Sequence, residues 1–183
     1  MKPVRIGDKF IGPGHPTYVI AEAGVNHKGS LEAARRMIDE AKRAGADAIK
    51  FQTYKADKLV TRTAPRYWDD PEATGTQFAI FKRADCFDEN DYQALFQHAH
   101  NVGITWLSTA FDLDAVRFLD ELGMQAFKVA SADLTNYPLL MAVAETGKPV
   151  ILSTGASELA EVHAAVDFLR LHGCRDLVLL YCV

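Results

Sequence analysis

Two lysines stand inside short apolar segments that have the composition of buried β-strands. Lys50 lies in AIKFQT and Lys128 lies in FKVAS. Because strand side chains alternate between two faces, Lys50 shares its face with Gln52 and points away from its apolar neighbours. Burying an isolated ammonium group is costly, so each lysine needs an anionic partner, either a carboxylate or a bound anion.

Carboxylates and hydroxyls accompany the neighbouring apolar segments. Glu22 and Asp133 are candidate partners for the lysines, and a doubly anionic substrate is another. Lysines and hydroxyls that lie close together at the same ends of the strands are typical of a phosphate or carboxylate pocket. Against this, a lysine in a strand is more often a solvated edge residue, and a hydroxyl at a strand end more often caps the next helix. The hydroxyls in question are Ser108, Thr109, Ser131, Ser153 and Thr154.

The histidines and cysteines are weaker candidates. His27, in GVNHKG, could act as a ligand or a general base, and a loop histidine bonded to the backbone is an equal alternative. Cys182 reads as a small core residue, and the three cysteines are too few and too spread for a disulfide framework or a zinc site. The helical histidines read as surface residues: His98, His100, His163 and His172.

The elements that must position these side chains follow a strand-then-helix rhythm. Amphipathic helices are predicted to begin near Ser30, Asp88, Asp112, Pro138 and Ser157, and each is followed by a glycine. Apolar runs separated by helices predict a parallel sheet covered by helices. The runs are TYVIAEAG, DAIKFQTY, ITWLSTAF, QAFKVAS, KPVILSTG and LVLLYCV.

Two architectures fit this rhythm, a doubly wound open sheet and a (β/α)8 barrel. The turn after the first strand reads EAGVNHKGS, which is not the GxGxxG of a dinucleotide fold. Polar residues stand at the carboxyl end of nearly every strand, where a barrel keeps its active site. The sequence therefore predicts an α/β fold of the TIM-barrel type that is incomplete, because about six strands are visible and closure needs eight.

The segment from Ala56 to Ile80 is too long for a simple connector and contains Pro65, Tyr67, Trp68 and Pro71. It falls on the predicted catalytic side. A lid that contacts the substrate and a surface excursion are both compatible with it.

Composition limits the possible partners. A formal charge of −4 and a pI near 5.8 argue against a nucleic-acid or anionic-membrane surface. No apolar run approaches the roughly 20 residues that cross a bilayer, and the first residues lack the apolar region of a signal peptide. We expect a cytoplasmic protein with small-molecule substrates.

The sequence motifs resemble those of a known family, the N-acetylneuraminate (sialic acid) synthases, together with relatives that make legionaminic or pseudaminic acid. The resemblance runs in order through nearly the whole chain, and GVNH fits the sialic and legionaminic branches better than the pseudaminic one. The motifs are AEAGVNHKGS, GADAIKFQTYKADKL, LSTAFD, FKVASADLTNYPLL and GKPVILSTGAS.

The resemblance implies condensation of phosphoenolpyruvate with an N-acetylated aminosugar of the N-acetylmannosamine type, with release of phosphate. A divalent metal, Mn²⁺ or Mg²⁺, is expected to polarise the sugar carbonyl in the complete enzyme, which is expected to be a homodimer. Glu22 resembles the acid that handles the water or proton, and Gln52 and Asp133 resemble sugar contacts. The phosphoenolpyruvate ligands are matched by Lys50, Thr109, Lys128, Ser131 and Ser153.

The chain also departs from that family. Asp133 stands where Glu is usual, STAFD replaces STPFD, and Tyr181 replaces a histidine before Cys182. The metal-binding histidines and the small antifreeze-like domain belong to later parts of the family's chains. Residues 1–183 are therefore expected to be the N-terminal part of a synthase barrel, without metal ligands and inactive in isolation. Two alternatives remain, a non-catalytic phosphoenolpyruvate-binding remnant and a related barrel aldolase or keto-acid-phosphate synthase.

Overall fold

The computed structural model describes residues 2–67 and 75–182. Within them, a two-stranded antiparallel hairpin precedes a six-stranded parallel sheet. The hairpin strands are β1 (Val4–Ile6) and β2 (Lys9–Ile11). The parallel strands are β3 (Ile20–Gly24), β4 (Ala48–Thr53), β5 (Thr105–Ala110), β6 (Phe127–Val129), β7 (Val150–Ser153) and β8 (Leu177–Leu180).

The strand order confirms the barrel-type fold. Each parallel strand pairs with the strand that precedes it in the chain, in the order β3-β4-β5-β6-β7-β8. A doubly wound sheet would reverse this order at a switch point. The sheet therefore winds in one direction, as in a β/α barrel of the TIM type.

Helices connect the strands and cover the outer face of the sheet. They are α1 (Leu31–Arg43), α2 (Ala56–Leu59), α3 (Gln77–Ala84), α4 (Glu89–Val102), α5 (Leu113–Glu121), α6 (Tyr137–Glu145) and α7 (Leu159–Leu171), with a 3₁₀ turn at Ser131–Asp133. No helix of the described ranges is both long and apolar enough to cross a membrane.

The predicted helix starts are close to those observed. The Ser30 hydroxyl accepts a hydrogen bond from the Ala33 amide at 3.1 Å and caps α1. Asp88 and Asp91 form a reciprocal capping box at the start of α4, with bonds of 3.0 and 3.1 Å. Only α7 begins later than expected, at Leu159.

The β1–β2 hairpin is a feature that the sequence analysis missed. Each strand has only three residues, one of them charged. Such short segments show no periodicity that would predict a strand. Ile6 is completely buried. A Cβ atom at Gly7 would stand 2.7 Å from Gln125 Oε1 and 3.4 Å from Thr105 Oγ1, so the hairpin turn lies against the amino-terminal ends of β5 and β6.

One buried carboxylate holds α3 against the start of α2. The Asp85 side chain is 2% exposed and forms ion pairs with Lys55 at 3.0 Å and Lys82 at 3.3 Å. It also accepts a hydrogen bond from the Ala56 amide at 3.1 Å. Asp85 therefore joins α3 to the start of α2, next to the carboxyl end of β4. Trp68 and Pro71 lie outside the described residues, so the lid interpretation stays a prediction.

The hairpin packing leads to a stability prediction. Truncating Ile6 to Ala leaves a cavity under the sheet and should lower the free energy of unfolding by about 2–4 kcal/mol. Phe10→Ala, on a side chain that is 48% exposed, is the matched control and should cost clearly less. Urea unfolding followed by circular dichroism measures both. Equal losses would show that the hairpin does not pack as described.

Candidate active site

Lys50 lies on the inner face of the sheet, in an ion pair with Glu22. The two residues are register partners on β4 and β3. The ammonium of Lys50 contacts the Glu22 carboxylate and donates a hydrogen bond to Thr109 Oγ1 at 3.3 Å. Lys50 is 8% exposed, whereas half of the Glu22 side chain reaches solvent. One carboxylate thus balances the charge of the more buried lysine.

Lys128 faces the same lumen from β6. It is the register partner of Thr109 on β5, and its ammonium donates to the Val129 carbonyl at 2.9 Å. Burial is the largest cause that lowers the pKa of Lys128, to about 8. The positive charge of Lys50 acts in the same direction, and the negative charge of Glu22 opposes it. The structure therefore brings together the two lysines that the sequence singled out.

Gln52 stands beside the ion pair, one step further toward the carboxyl end of β4. A Cβ atom at Gly24 would lie 3.3 Å from Glu22 Oε1 and 3.7 Å from Gln52 Nε2, so these two side chains converge over Gly24. The Tyr92 hydroxyl donates to the Gln52 carbonyl at 3.0 Å from the helix layer. The sequence analysis did not single out Gly24, whose missing side chain leaves room for both groups.

Polar groups from the ends of β6, β7 and β8 meet around Ser131. The Gly155 amide donates to Ser131 Oγ at 3.0 Å and to Cys182 Sγ at 3.2 Å. The Ser131 and Cys182 side chains are 3.3 Å apart. Hydrogen bonds from the side chains of Ser131 and Ser153 lower the pKa of the Cys182 thiol. Ser131 and Ser153, predicted from sequence, therefore belong to one cluster.

The prediction that Cys182 is a core residue was wrong. Its side chain is only partly buried and bonds to polar groups at the strand ends. A sequence pattern cannot distinguish this position from a core one, because LVLLYCV is apolar almost throughout. Only the pairing of β8 with β7 sets which side chains reach Ser131.

Two of the suggested hydroxyls do not face the lumen. Ser108 is fully buried and its hydroxyl lies 2.8 Å from Thr53 Oγ1, on the face opposite to Thr109. Neighbouring strand residues alternate, so Ser108 and Thr109 cannot both point inward. Thr154 instead donates its hydroxyl to the Leu180 carbonyl at 3.1 Å, where it secures the end of β8.

Asp133 lies on the 3₁₀ turn that follows β6. Its Oδ1 accepts a hydrogen bond from Asn136 Nδ2 at 3.1 Å. Burial raises the pKa of this carboxyl, whereas the Asn136 bond and the charge of Lys128 oppose the rise. Asp133 is therefore within electrostatic reach of the lumen, at the side of Lys128.

His27 takes the backbone-bonded alternative. The ring is 3% exposed and stacks on Phe87 with 4.1 Å between centroids. Its Nδ1 accepts a hydrogen bond from the Gly29 amide at 3.1 Å. Burial lowers the pKa of the imidazole, which favours the neutral ring. These contacts make His27 a stabilising residue of the β3–α1 loop.

The described residues do not provide a resident metal site. Within residues 2–67 and 75–182, no group of three or more His, Cys, Asp or Glu side chains gathers closely enough to hold an ion. Glu22, the carboxylate at the lumen, is engaged by Lys50.

Comparison with known proteins identifies the family. The model of the NeuB family matches residues 37–183. The chain belongs to the NeuB family. It is 38% identical over 183 residues to the N,N'-diacetyllegionaminic acid synthase of Legionella pneumophila, covering 96% of this chain and 51% of that protein. It is 43% identical to the uncharacterized protein MJ1065 of Methanocaldococcus jannaschii, covering 100% and 51%.

A solved structure shows the same arrangement. The N-acetylneuraminic acid synthetase of Leptospira borgpetersenii, crystallised with citrate, superposes with a TM-score of 0.84 at 33% identity. The match covers 100% of this chain and 59% of that one. The chain spans about half the length of these two curated relatives.

The half-buried position of Lys128 should cost stability. Below pH 8 the folded state must hold a charge that burial disfavours, so Lys128→Met should raise the free energy of unfolding by about 1–2 kcal/mol at pH 7. This figure is discounted because part of the side chain reaches solvent. As pH rises from 8 toward 10.5, the folded state releases its proton first and the advantage of the variant should vanish. Urea titrations across this pH range measure it, and a pH-independent difference would contradict the electrostatic origin.

The cysteines should differ in reactivity. The pKa of Cys182 is lowered by its hydrogen bonds, whereas burial raises the pKa of Cys174. Because the thiolate is the reactive form, iodoacetamide at pH 7.5 should alkylate Cys182 at least about tenfold faster than Cys174. Ser131→Ala should slow the reaction at Cys182 and leave the exposed Cys86 unchanged. Peptide mass spectrometry over time gives all three rates, and similar rates at Cys182 and Cys174 would refute this assignment.

Proposed function

We propose that this chain is the phosphoenolpyruvate-binding part of a sialic-acid-type synthase, which condenses phosphoenolpyruvate with an N-acetylated aminosugar and releases phosphate. The observation that carries the proposal is that Lys50 and Lys128 face one lumen. One carboxylate, that of Glu22, forms an ion pair with these two positive charges, at Lys50. This arrangement leaves positive charge for a polyanionic substrate. Membership of the NeuB family supports the reaction class.

The proposed roles follow from position. Lys50 and Lys128 hold the phosphate and carboxylate of phosphoenolpyruvate, together with three hydroxyls of the same face. Preorganised ammonium groups keep these charges in place while carbon three of the enol attacks the sugar aldehyde. Water then adds at carbon two and phosphate leaves, so the sum is enol phosphate, aldehyde and water giving sugar acid and phosphate. The hydroxyls are those of Thr109, Ser131 and Ser153.

The remaining predicted residues serve the acceptor side of the reaction. Glu22 borders the lumen with half of its side chain in solvent, which suits a group that passes a proton to or from water. Gln52, which converges with Glu22, and Asp133, near Lys128, are proposed as sugar contacts. In this proposal Glu22, Lys50 and Lys128 are the catalytic residues.

The acceptor is proposed to be N-acetylmannosamine or a close 2-acetamido sugar. The similarity to a diacetyllegionaminic acid synthase favours the precursor of legionaminic acid as the first alternative; the precursor of pseudaminic acid is another. We place the ligands of the divalent metal, the antifreeze-like domain and the contacts of a homodimer outside these residues. A non-catalytic phosphoenolpyruvate-binding protein is the second candidate, because the described residues supply no metal site.

Calorimetry on the 183-residue chain tests the binding step. Phosphoenolpyruvate should bind, and Lys50→Met and Lys128→Met should each weaken binding by about 10- to 100-fold, because a hydrogen bond to a charged group contributes roughly 1.5–3 kcal/mol. Lys58→Met, which removes an exposed lysine paired with Asp114, is the charge-matched control and should bind normally. Absence of binding heat in the parent chain would refute the proposal.

Turnover separates the enzyme from the non-catalytic candidate. The full-length protein, supplied with phosphoenolpyruvate, Mn²⁺ and N-acetylmannosamine or its 2,4-diacetamido relatives, should release phosphate. Binding without phosphate release from any N-acetylated acceptor would favour the non-catalytic candidate.

A further inference from the structure

Lys128 lacks the carboxylate partner that Lys50 has. In the part of the chain that the structure describes, no Asp or Glu lies within ion-pair distance of its ammonium, which donates to the Val129 carbonyl. The Glu22 carboxylate belongs to Lys50, which also donates to Thr109. A buried cation without a counter-ion is relieved by losing its proton.

Charged groups from four parts of the described chain act on the Lys128 ammonium. Lys50 on β4 disfavours the ammonium, and Glu22 on β3, Asp133 after β6 and Cys182 after β8 favour it. Burial, reinforced by Lys50, outweighs the three favourable groups and brings the pKa of Lys128 to about 8. About a tenth of the Lys128 side chains then carry a neutral amine at pH 7, against fewer than roughly one in a thousand for an ordinary lysine.

A neutral amine beside a retained cation has a chemical use. A desolvated lysine next to a second cationic group is an activated nucleophile toward carbonyl carbons. We propose that the Lys128 amine forms an imine with a small 2-oxo acid whose carboxylate is held by Lys50. The lumen thus has a covalent reactivity separate from the proposed condensation.

The step balances without an oxidant or a metal. The nitrogen of Lys128 attacks the carbonyl carbon, and one proton passes from nitrogen to oxygen to give a carbinolamine. The nitrogen then loses its second proton, the hydroxyl group gains one and leaves as water, and the C=N bond forms. Amine plus 2-oxo acid gives imine plus water, and hydrolysis reverses the reaction.

Phosphoenolpyruvate and a 2-oxo acid would compete for this lumen in different ways. Phosphoenolpyruvate is an enol ester without a carbonyl at carbon two, so it can pair with Lys128 only as an anion. Pyruvate has the same carbon skeleton with a ketone at that position. The inference rests on the geometry of the lumen, which the proposed function shares, and not on the condensation reaction.

Reductive trapping tests the inference. The chain is incubated with pyruvate and sodium cyanoborohydride at pH 7, and the label is located by peptide mass spectrometry. Label should accumulate at least about tenfold faster at Lys128 than at Lys58, which is exposed and lies outside the lumen. The rate at Lys128 should reach half of its maximum near pH 8.

Variants separate specific from general reactivity. Lys128→Arg should abolish the fast label, and the matched surface variant Lys58→Arg should keep it. Lys50→Met should slow labelling at pH 7 and move the midpoint of the pH profile upward, because it removes both the carboxylate holder and the repelling charge. Circular dichroism and thermal melting verify that each variant is folded.

The outcomes distinguish the two proposals. Label spread evenly over exposed lysines, or unchanged in Lys128→Arg, would overturn the imine. If phosphoenolpyruvate binds but Lys128 is not labelled, the imine alone fails. If Lys128 is labelled but phosphoenolpyruvate neither binds nor protects it, the imine stands and the proposed function fails.

Discussion

Two ammonium groups on the inner face of the sheet repel each other. Lys50 and Lys128 come from strands separated by β5, and their side chains share a half-buried space. Water would screen this repulsion, but burial does not. Glu22 forms an ion pair with Lys50, whereas among the described residues no Asp or Glu pairs with Lys128. Two buried like charges lower the stability of the fold, so such an arrangement is characteristic of a binding or catalytic site.

The parallel sheet makes this arrangement possible by bringing all its carboxyl ends to one side. Ser131 and Cys182 are separated by many residues in the chain, yet both accept a hydrogen bond from the Gly155 amide, and the Ser153 side chain forms a hydrogen bond with Cys182. Because neighbouring side chains of a strand point to opposite faces, Thr109 contacts Lys50 on the inner face, whereas Ser108 contacts Thr53 on the opposite face. Which hydroxyl can bind a ligand is decided by the pleat of the strand.

The elements around the site hold the strands in position. The hairpin around Gly7 lies against the amino-terminal ends of the strands, opposite the polar residues. On the other side, Asp85 ties together the segment that follows β4. Tyr92 reaches from α4 to the backbone of Gln52 and helps to fix the position of β4. Rigid support of this kind keeps charged side chains in place without help from a bound substrate.

From the sequence alone, periodicity and capping residues predicted the strand-and-helix rhythm, the helix starts and the shared face of Lys50 and Gln52. The polar residues at the strand ends predicted the barrel-type fold and a lumen that Lys128 shares. The sequence could not determine contacts between distant segments. The hairpin, the exposure of Cys182 and the stacking of His27 on Phe87 all arise from packing across the fold. Tertiary structure also decided which lysine receives Glu22, because that choice depends on the register of β3 against β4.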